Sequence, residues 1–121
     1  VSHSAELAGG LHALLSQLGA APGSVVAVGG TADGQIGTSY DAVIAAVQDA
    51  DKGAGVVVLP DLGSSVLTSR AVLADHPQPN VVLVDAPFVE GAVAAAVTAA
   101  AGADLDAVVT AAQEARHAAK L

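Results

Sequence analysis

Short aliphatic runs recur along this chain, each closed by glycine, proline or a small polar turn and each followed by a longer stretch with helical spacing. Val25-Val26-Ala27-Val28, Gly55-Val56-Val57-Val58-Leu59-Pro60 and Val81-Val82-Leu83-Val84 are complete examples, and Val1-Ser2-His3 reads as the tail of a fourth whose first part is missing. Strands that are continuously apolar, rather than alternating, are covered on both faces, which is the habit of parallel strands joined through helices. The core they form is fine-grained. Hydrophobic residues make up 53% of the chain but aromatics only 2%, so Ala, Val, Leu and Ile must fill the interior and backbones must lie close together.

The intervening segments carry helix signals. Ser4 is suited to cap a helix that continues through Glu6, Leu7, Leu11, Leu14, Leu15 and Leu18 and stops at Gly19. Ser39 caps a second helix to about Ala50, and the turn Asp61-Leu62-Gly63-Ser64-Ser65 opens a third that reaches about Ala74. After the turn His76-Pro77-Gln78-Pro79-Asn80 and the last strand, two helices span about Val89 to Ala101 and Asp104 to Ala119, parted at Gly102. The expectation is one domain over residues 1–121: an α/β fold with a doubly wound, mainly parallel four-stranded sheet and helices on both faces, its first strand truncated.

Several function classes are excluded or disfavoured. The net charge is −8 with only Lys52, Arg70, Arg116 and Lys120 as cations, too few to neutralise a run of backbone phosphates, so nucleic acid is not an expected partner. No cysteine is present, which removes disulfides, thiolate metal sites and thiol nucleophiles. The longest uncharged apolar run, Gly91 to Ala103, falls short of the roughly 20 residues of a membrane span, and no signal-peptide pattern opens the chain. A cytoplasmic protein without a membrane segment is expected. Neither G-x-G-x-x-G, nor Gly-Lys-Ser/Thr, nor G-x-S-x-G occurs, and the four histidines lack metal-site spacing, so no cofactor and no metal are expected.

In a doubly wound sheet the functional crevice lies beyond the carboxyl ends of the strands. There the sequence places His3, the loop Gly29-Gly30-Thr31, Asp61 with Gly63-Ser64-Ser65, and Asp85 with Pro87. With the first strand central, His3 falls between the glycine loop and Asp61. The carboxylate can then accept from Nδ1 and leave Nε2 as the nucleophile. Around a phosphoryl group on that nitrogen, the opening turn of the first helix at Ser4, the hydroxyls of Thr31, Thr38, Ser64 and Ser65, and the N–H groups of Gly30, Gly37 and Gly63 are candidate donors. Each feature alone has a plain reading: Asp61 as a helix cap, the glycine loop as a turn, and His12, His76 and His117 as incidental.

The residues also carry a resemblance. Val1-Ser2-His3-Ser4, the loop Gly29-Gly30-Thr31-x-x-Gly34-x-Ile36-Gly37-Thr38, the turn Asp61-Leu62-Gly63-Ser64 and Ala86-Pro87-Phe88-Val89-Glu90-Gly91 together resemble the phosphotransferase subunits of bacterial PTS-dependent dihydroxyacetone kinases, which share their fold with mannose-type IIA domains. The resemblance implies a relay in which phosphoenolpyruvate, enzyme I and HPr bring a phosphoryl group to His3, assisted by Asp61. The acceptor it implies is ADP held on a kinase L subunit. It also implies a homodimer. The alternatives are a IIA component of a mannose-type sugar transporter, and a IIA-like module that regulates by binding without transferring phosphate.

Overall fold

The computed structural model describes residues 1–121. Its elements, in order, are α1 (Ala5–Gln17), α2 (Tyr40–Ala50), β1 (Val56–Val58), α3 (Ser64–Asp75), β2 (Val81–Leu83), α4 (Phe88–Ala100), α5 (Leu105–Glu114) and a closing 3₁₀ turn, Ala115–His117. Three helices start on the side-chain caps that their sequences supply: Ser4 accepts from the Leu7 N–H, Ser39 from Ala42 and Asp104 from Ala107.

Strands β1 and β2 pair in parallel, with Val56 opposite Val81, Val57 opposite Val82 and Val58 opposite Leu83. Side chains alternate across this pair and divide the interior into two layers. On one side Val56 and Val58 pack with Val43 and Val47 of α2 and Val72 of α3. On the other, Val84, Ala95 of α4, and Val108 and Ala112 of α5 form a second cluster, against which Val57, Leu59 and Val82 pack. Helices therefore cover both faces. The α4–α5 layer is tight because its contacts are small: a Cβ on Gly91 would stand 2.9 Å from the Ala86 methyl and 3.5 Å from the Ala112 carbonyl oxygen.

The expected four-stranded sheet is not formed in full. Only β1 and β2 make a regular ladder, and the first and second expected strands meet through a single parallel bridge, Ser2 with Gly29. The order of segments is nevertheless defined by hydrogen bonds. Ser2 N–H donates to Val28 O (2.9 Å) on one side, while the Val1 amine donates to Leu59 O (2.8 Å) and Asp61 N–H to Val1 O (2.9 Å) on the other. Val1 and Ser2 thus lie between segment 25–28 and the end of β1. Residues 25–27 form no ladder. Beside them lies an apolar cavity of about 320 Å³, walled by Val26, Val57, Leu59, Phe88 and Ala92 among others.

Candidate active site

Where β1 ends, the chain turns through Pro60 and Asp61 into α3, and the first residues of the chain run alongside. This adjacency brings His3 to Asp61. Nδ1 of His3 lies 2.6 Å from Oδ2 of Asp61. The histidine backbone is held at both ends, its N–H reaching both carboxylate oxygens at 3.3 Å and its carbonyl accepting from the Gly37 N–H at 2.9 Å. The imidazole remains about a quarter exposed while the carboxylate is nearly sealed, at 27% and 4% of their side-chain surfaces.

Asp61 is saturated with donors. Oδ1 accepts from Ser65 Oγ and from the Leu62 N–H, each at 2.6 Å, and Oδ2 accepts from Ser2 Oγ at 2.7 Å as well as from the imidazole. Burial pushes its carboxyl upward, but the bonds from Ser65, Ser2, Leu62 and His3 outweigh that and hold it down at about 2. An ionised carboxylate only accepts, so the nitrogen facing it must carry the proton. A neutral His3 is therefore protonated on Nδ1 and presents its lone pair on Nε2.

The other candidate residues divide into two groups. Thr31 donates its hydroxyl to Asp33 and accepts from Gln35 N–H at 3.0 Å, so its proton stays within the loop. Gly37 uses its N–H on His3 O, and Ser65, fully buried, donates its one hydroxyl proton to Asp61, with Leu62 O 2.8 Å away. These three shape the site instead of facing a ligand. Gly30, at φ +77°, turns the loop back over α1. Thr38 and Ser64 hydroxyls meet at 2.9 Å, tying the loop to the first turn of α3. Ser4 caps α1, leaving its hydroxyl proton free while its oxygen accepts. The N–H groups of Ala5 and Glu6 in α1, and of Gly63 and Ser64 at the start of α3, have no acceptor within the chain. Two helix N-termini thus open beside His3, and their unpaired donors suit an anion.

Asp85 does not join the cluster. Its side chain is exposed, and Arg116 lies against it, donating to its carbonyl oxygen. His12 reaches Val25 O at 3.1 Å and His76 sits near the Tyr40 ring. Sequence reasoning missed Ser2, which is fully buried. The signal for Ser65 was present: a hydroxyl four residues after Asp61, in the first turn of a helix, is spaced to bond back to it.

A parallel α/β core with a histidine and a buried carboxylate at its carboxyl edge fits what the sequence resemblance to phosphotransferase-system IIA domains implies. The family model EIIA-man, "PTS system fructose IIA component", matches residues 1–109, and the chain belongs to that family. Within the family its similarity runs to DhaM-type subunits. It is 38% identical over 98 residues to the "PEP-dependent dihydroxyacetone kinase 1, phosphoryl donor subunit DhaM" of Listeria innocua serovar 6a, covering 79% of this chain and 75% of that one. It is 33% identical over 108 residues to the "PTS-dependent dihydroxyacetone kinase, phosphotransferase subunit DhaM" of Lactococcus lactis subsp. lactis, covering 89% and 85%. A solved structure of a protein of unknown function, EF1359, matches with a TM-score of 0.82 at 34% identity, over 93% of this chain and 89% of that one. No helix of the structure is long and apolar enough to cross a membrane.

Proposed function

We propose that this domain is a phosphoryl donor subunit of a dihydroxyacetone kinase, that His3 accepts the phosphoryl group from phospho-HPr on Nε2, and that the acceptor is ADP bound to the kinase L subunit. The observation that carries this reading is the 2.6 Å contact between Nδ1 of His3 and a carboxylate that remains ionised. The Listeria and Lactococcus relatives support it, since one is a phosphoryl donor subunit and the other a phosphotransferase subunit of such a kinase.

In the uptake step the Nε2 lone pair forms a bond to phosphorus as the phosphorus–nitrogen bond of the donor's phosphohistidine breaks. The ring proton stays on Nδ1, where Asp61 offsets the positive charge that develops. In the delivery step a β-phosphate oxygen of ADP attacks the same phosphorus, the bond to Nε2 breaks, and ATP leaves neutral His3 behind. The hydroxyl of Ser4, the Thr38–Ser64 pair and the free N–H groups opening α1 and α3 are the donors for the phosphoryl oxygens. No lysine or arginine is among them. Neutral donors stabilise the adduct without trapping it, which suits a carrier. Ile36 and Leu62, both well exposed, adjoin Gly37 and Asp61 and form the apolar rim on which a protein donor and a protein acceptor dock in turn.

The test is incubation with phosphoenolpyruvate, enzyme I and HPr, followed by intact mass and then by mixing the product separately with an ADP-loaded L subunit, free ADP and a sugar-transporter IIB domain. The reading requires uptake of one acid-labile phosphoryl group and its delivery only to the L subunit. Delivery only to the IIB domain moves the chain to the sugar transporters, and no uptake removes the carrier function altogether.

A further inference from the structure

We propose that Ser2 is the positioning residue that determines which ring nitrogen of His3 receives the phosphoryl group. This rests on the reading of His3 as the acceptor. The geometry that supports it is a directed chain of hydrogen bonds. The Ser4 N–H donates to Ser2 Oγ at 3.0 Å, Ser2 Oγ donates to Asp61 Oδ2 at 2.7 Å, and the same Oδ2 accepts from His3 Nδ1 at 2.6 Å.

A serine hydroxyl has a single proton. Here an N–H at the start of α1 occupies an acceptor site on Ser2 Oγ, and the carboxylate can only accept, so the proton points at Oδ2. Ser2 is 0% exposed, and no solvent competes for either bond. The two oxygens of Asp61 are thus held by different means. Oδ1 is fixed by Ser65 and Leu62, the elements of its own turn, whereas Oδ2 is fixed by Ser2 and otherwise touched only by the histidine. Without Ser2, the one contact on Oδ2 independent of the ring it is meant to orient is the long one from the His3 backbone N–H, at 3.3 Å. Ring and carboxylate can then move together, and an imidazole turned about both of its side-chain bonds can bond the carboxylate through Nε2 instead, leaving Nδ1 as the nucleophile. Ser2 also ties the carboxylate to the α1 N-terminus, where the phosphoryl oxygens are received.

The experiment compares Ser2→Ala, Ser2→Thr and Ser65→Ala with the unaltered chain, using ¹⁵N shifts of the His3 ring for the tautomer. Phosphoramidate, a small donor needing no docking surface, then supplies the adduct, whose isomer is read by ³¹P and ¹⁵N NMR. The unaltered chain is expected to show the Nδ1–H tautomer and the Nε2 adduct alone. Ser2→Ala is expected to mix the tautomers, to yield Nδ1 adduct as about a tenth or more of product, and to slow uptake from phospho-HPr by about 10-fold or more, as loss of an outer orienting partner does. Ser2→Thr restores the single tautomer. Ser65→Ala deletes an equally buried hydroxyl from the other oxygen and keeps the Nδ1–H tautomer. A folded Ser2→Ala protein with one tautomer and one adduct overturns the proposal, as does an equal tautomer shift in both alanine variants. Should Ser2→Ala not fold, Ser2→Cys, of similar size and with a weak donor, must show the mixed tautomers or the proposal falls. If the unaltered chain takes no phosphoryl group, the carrier reading fails, while the tautomer comparison still judges Ser2.

Discussion

Replacing Asp61 with Asn removes one charge and leaves the shape, so the hydrogen-bond inventory around it determines the outcome. Two short donors converge on each carboxylate oxygen: Ser65 Oγ and Leu62 N–H on Oδ1, Ser2 Oγ and His3 Nδ1 on Oδ2. An amide offers one accepting oxygen and one NH₂ group. The Leu62 N–H belongs to the backbone and cannot turn away, whereas a hydroxyl and an imidazole can reorient. The amide oxygen therefore takes the Oδ1 position and the NH₂ faces the ring. It then donates to Nδ1, which must become the unprotonated nitrogen, and the proton of a neutral His3 moves to Nε2. The nucleophilic lone pair is lost. Tautomer inversion of this kind in a serine-protease triad costs about 10⁴ in rate, and a phosphoryl uptake slower by about 10³–10⁴-fold is expected here. That corresponds to about 4–5 kcal/mol at 1.36 kcal/mol per decade. Time-resolved intact mass with phospho-HPr as donor measures it, with circular dichroism to show that the fold persists. A folded Asp61→Asn protein within tenfold of the unaltered rate would refute the argument and leave Asp61 a purely structural residue of the turn before α3.

His3→Ala is expected to abolish uptake, while alanine at His12, His76 or His117 leaves it intact; peptide mapping of the phosphorylated protein checks this, and label on any of those three removes the assignment. Gly29→Ala places a Cβ 2.5 Å from the Ser4 carbonyl oxygen, a backbone atom that cannot yield cheaply, so a loss of about 1–3 kcal/mol is expected in urea denaturation; a midpoint unchanged from the parent contradicts it. Acid should destabilise the fold partly through Asp61. Its carboxyl is depressed from 3.8 to about 2, so its stabilisation is complete above the unfolded value and is lost as pH falls from about 4 through 2. Asp61→Asn should flatten that part of the stability–pH curve, and an unchanged acid slope counts against it.

Much of this architecture was legible because it depends on local chemistry. The caps at Ser4 and Ser39, the start of the last helix at Asp104, the aliphatic runs that became β1 and β2, and the break between α4 and α5 at Gly102 are short-range signals. Val25-Val26-Ala27-Val28 is as aliphatic as Val56–Val58, yet it forms no ladder, and strand propensity, being context-dependent, does not separate the two runs. At the site, the juxtaposition of His3 and Asp61 followed from topology. The division of labour among the hydroxyls did not. Ser64 and Ser65 are adjacent and identical, but helical geometry sends one to Thr38 and the other inward to Asp61. Ser2 was invisible for a similar reason: alternation along an extended chain turns it away from the His3 side chain, and only the return of Asp61 gives its hydroxyl proton an acceptor.

His3 is held by the backbone on both sides, its N–H against Asp61 and its carbonyl against Gly37. On the proposed function this makes the histidine a fixed station instead of a swinging arm. Rotation of a pinned residue moves Nε2 by only a few ångströms, far less than the width of a docked protein. Donor and acceptor must therefore bring their own reacting atoms to the same point, from the same open side of the ring, and neither can approach until the other has left. The kinetic consequence is substituted-enzyme behaviour, with parallel double-reciprocal lines when one partner is varied at several levels of the other. Each partner is then a competitive inhibitor of the other's half-reaction, and the flux through the site is governed by how quickly the spent partner departs.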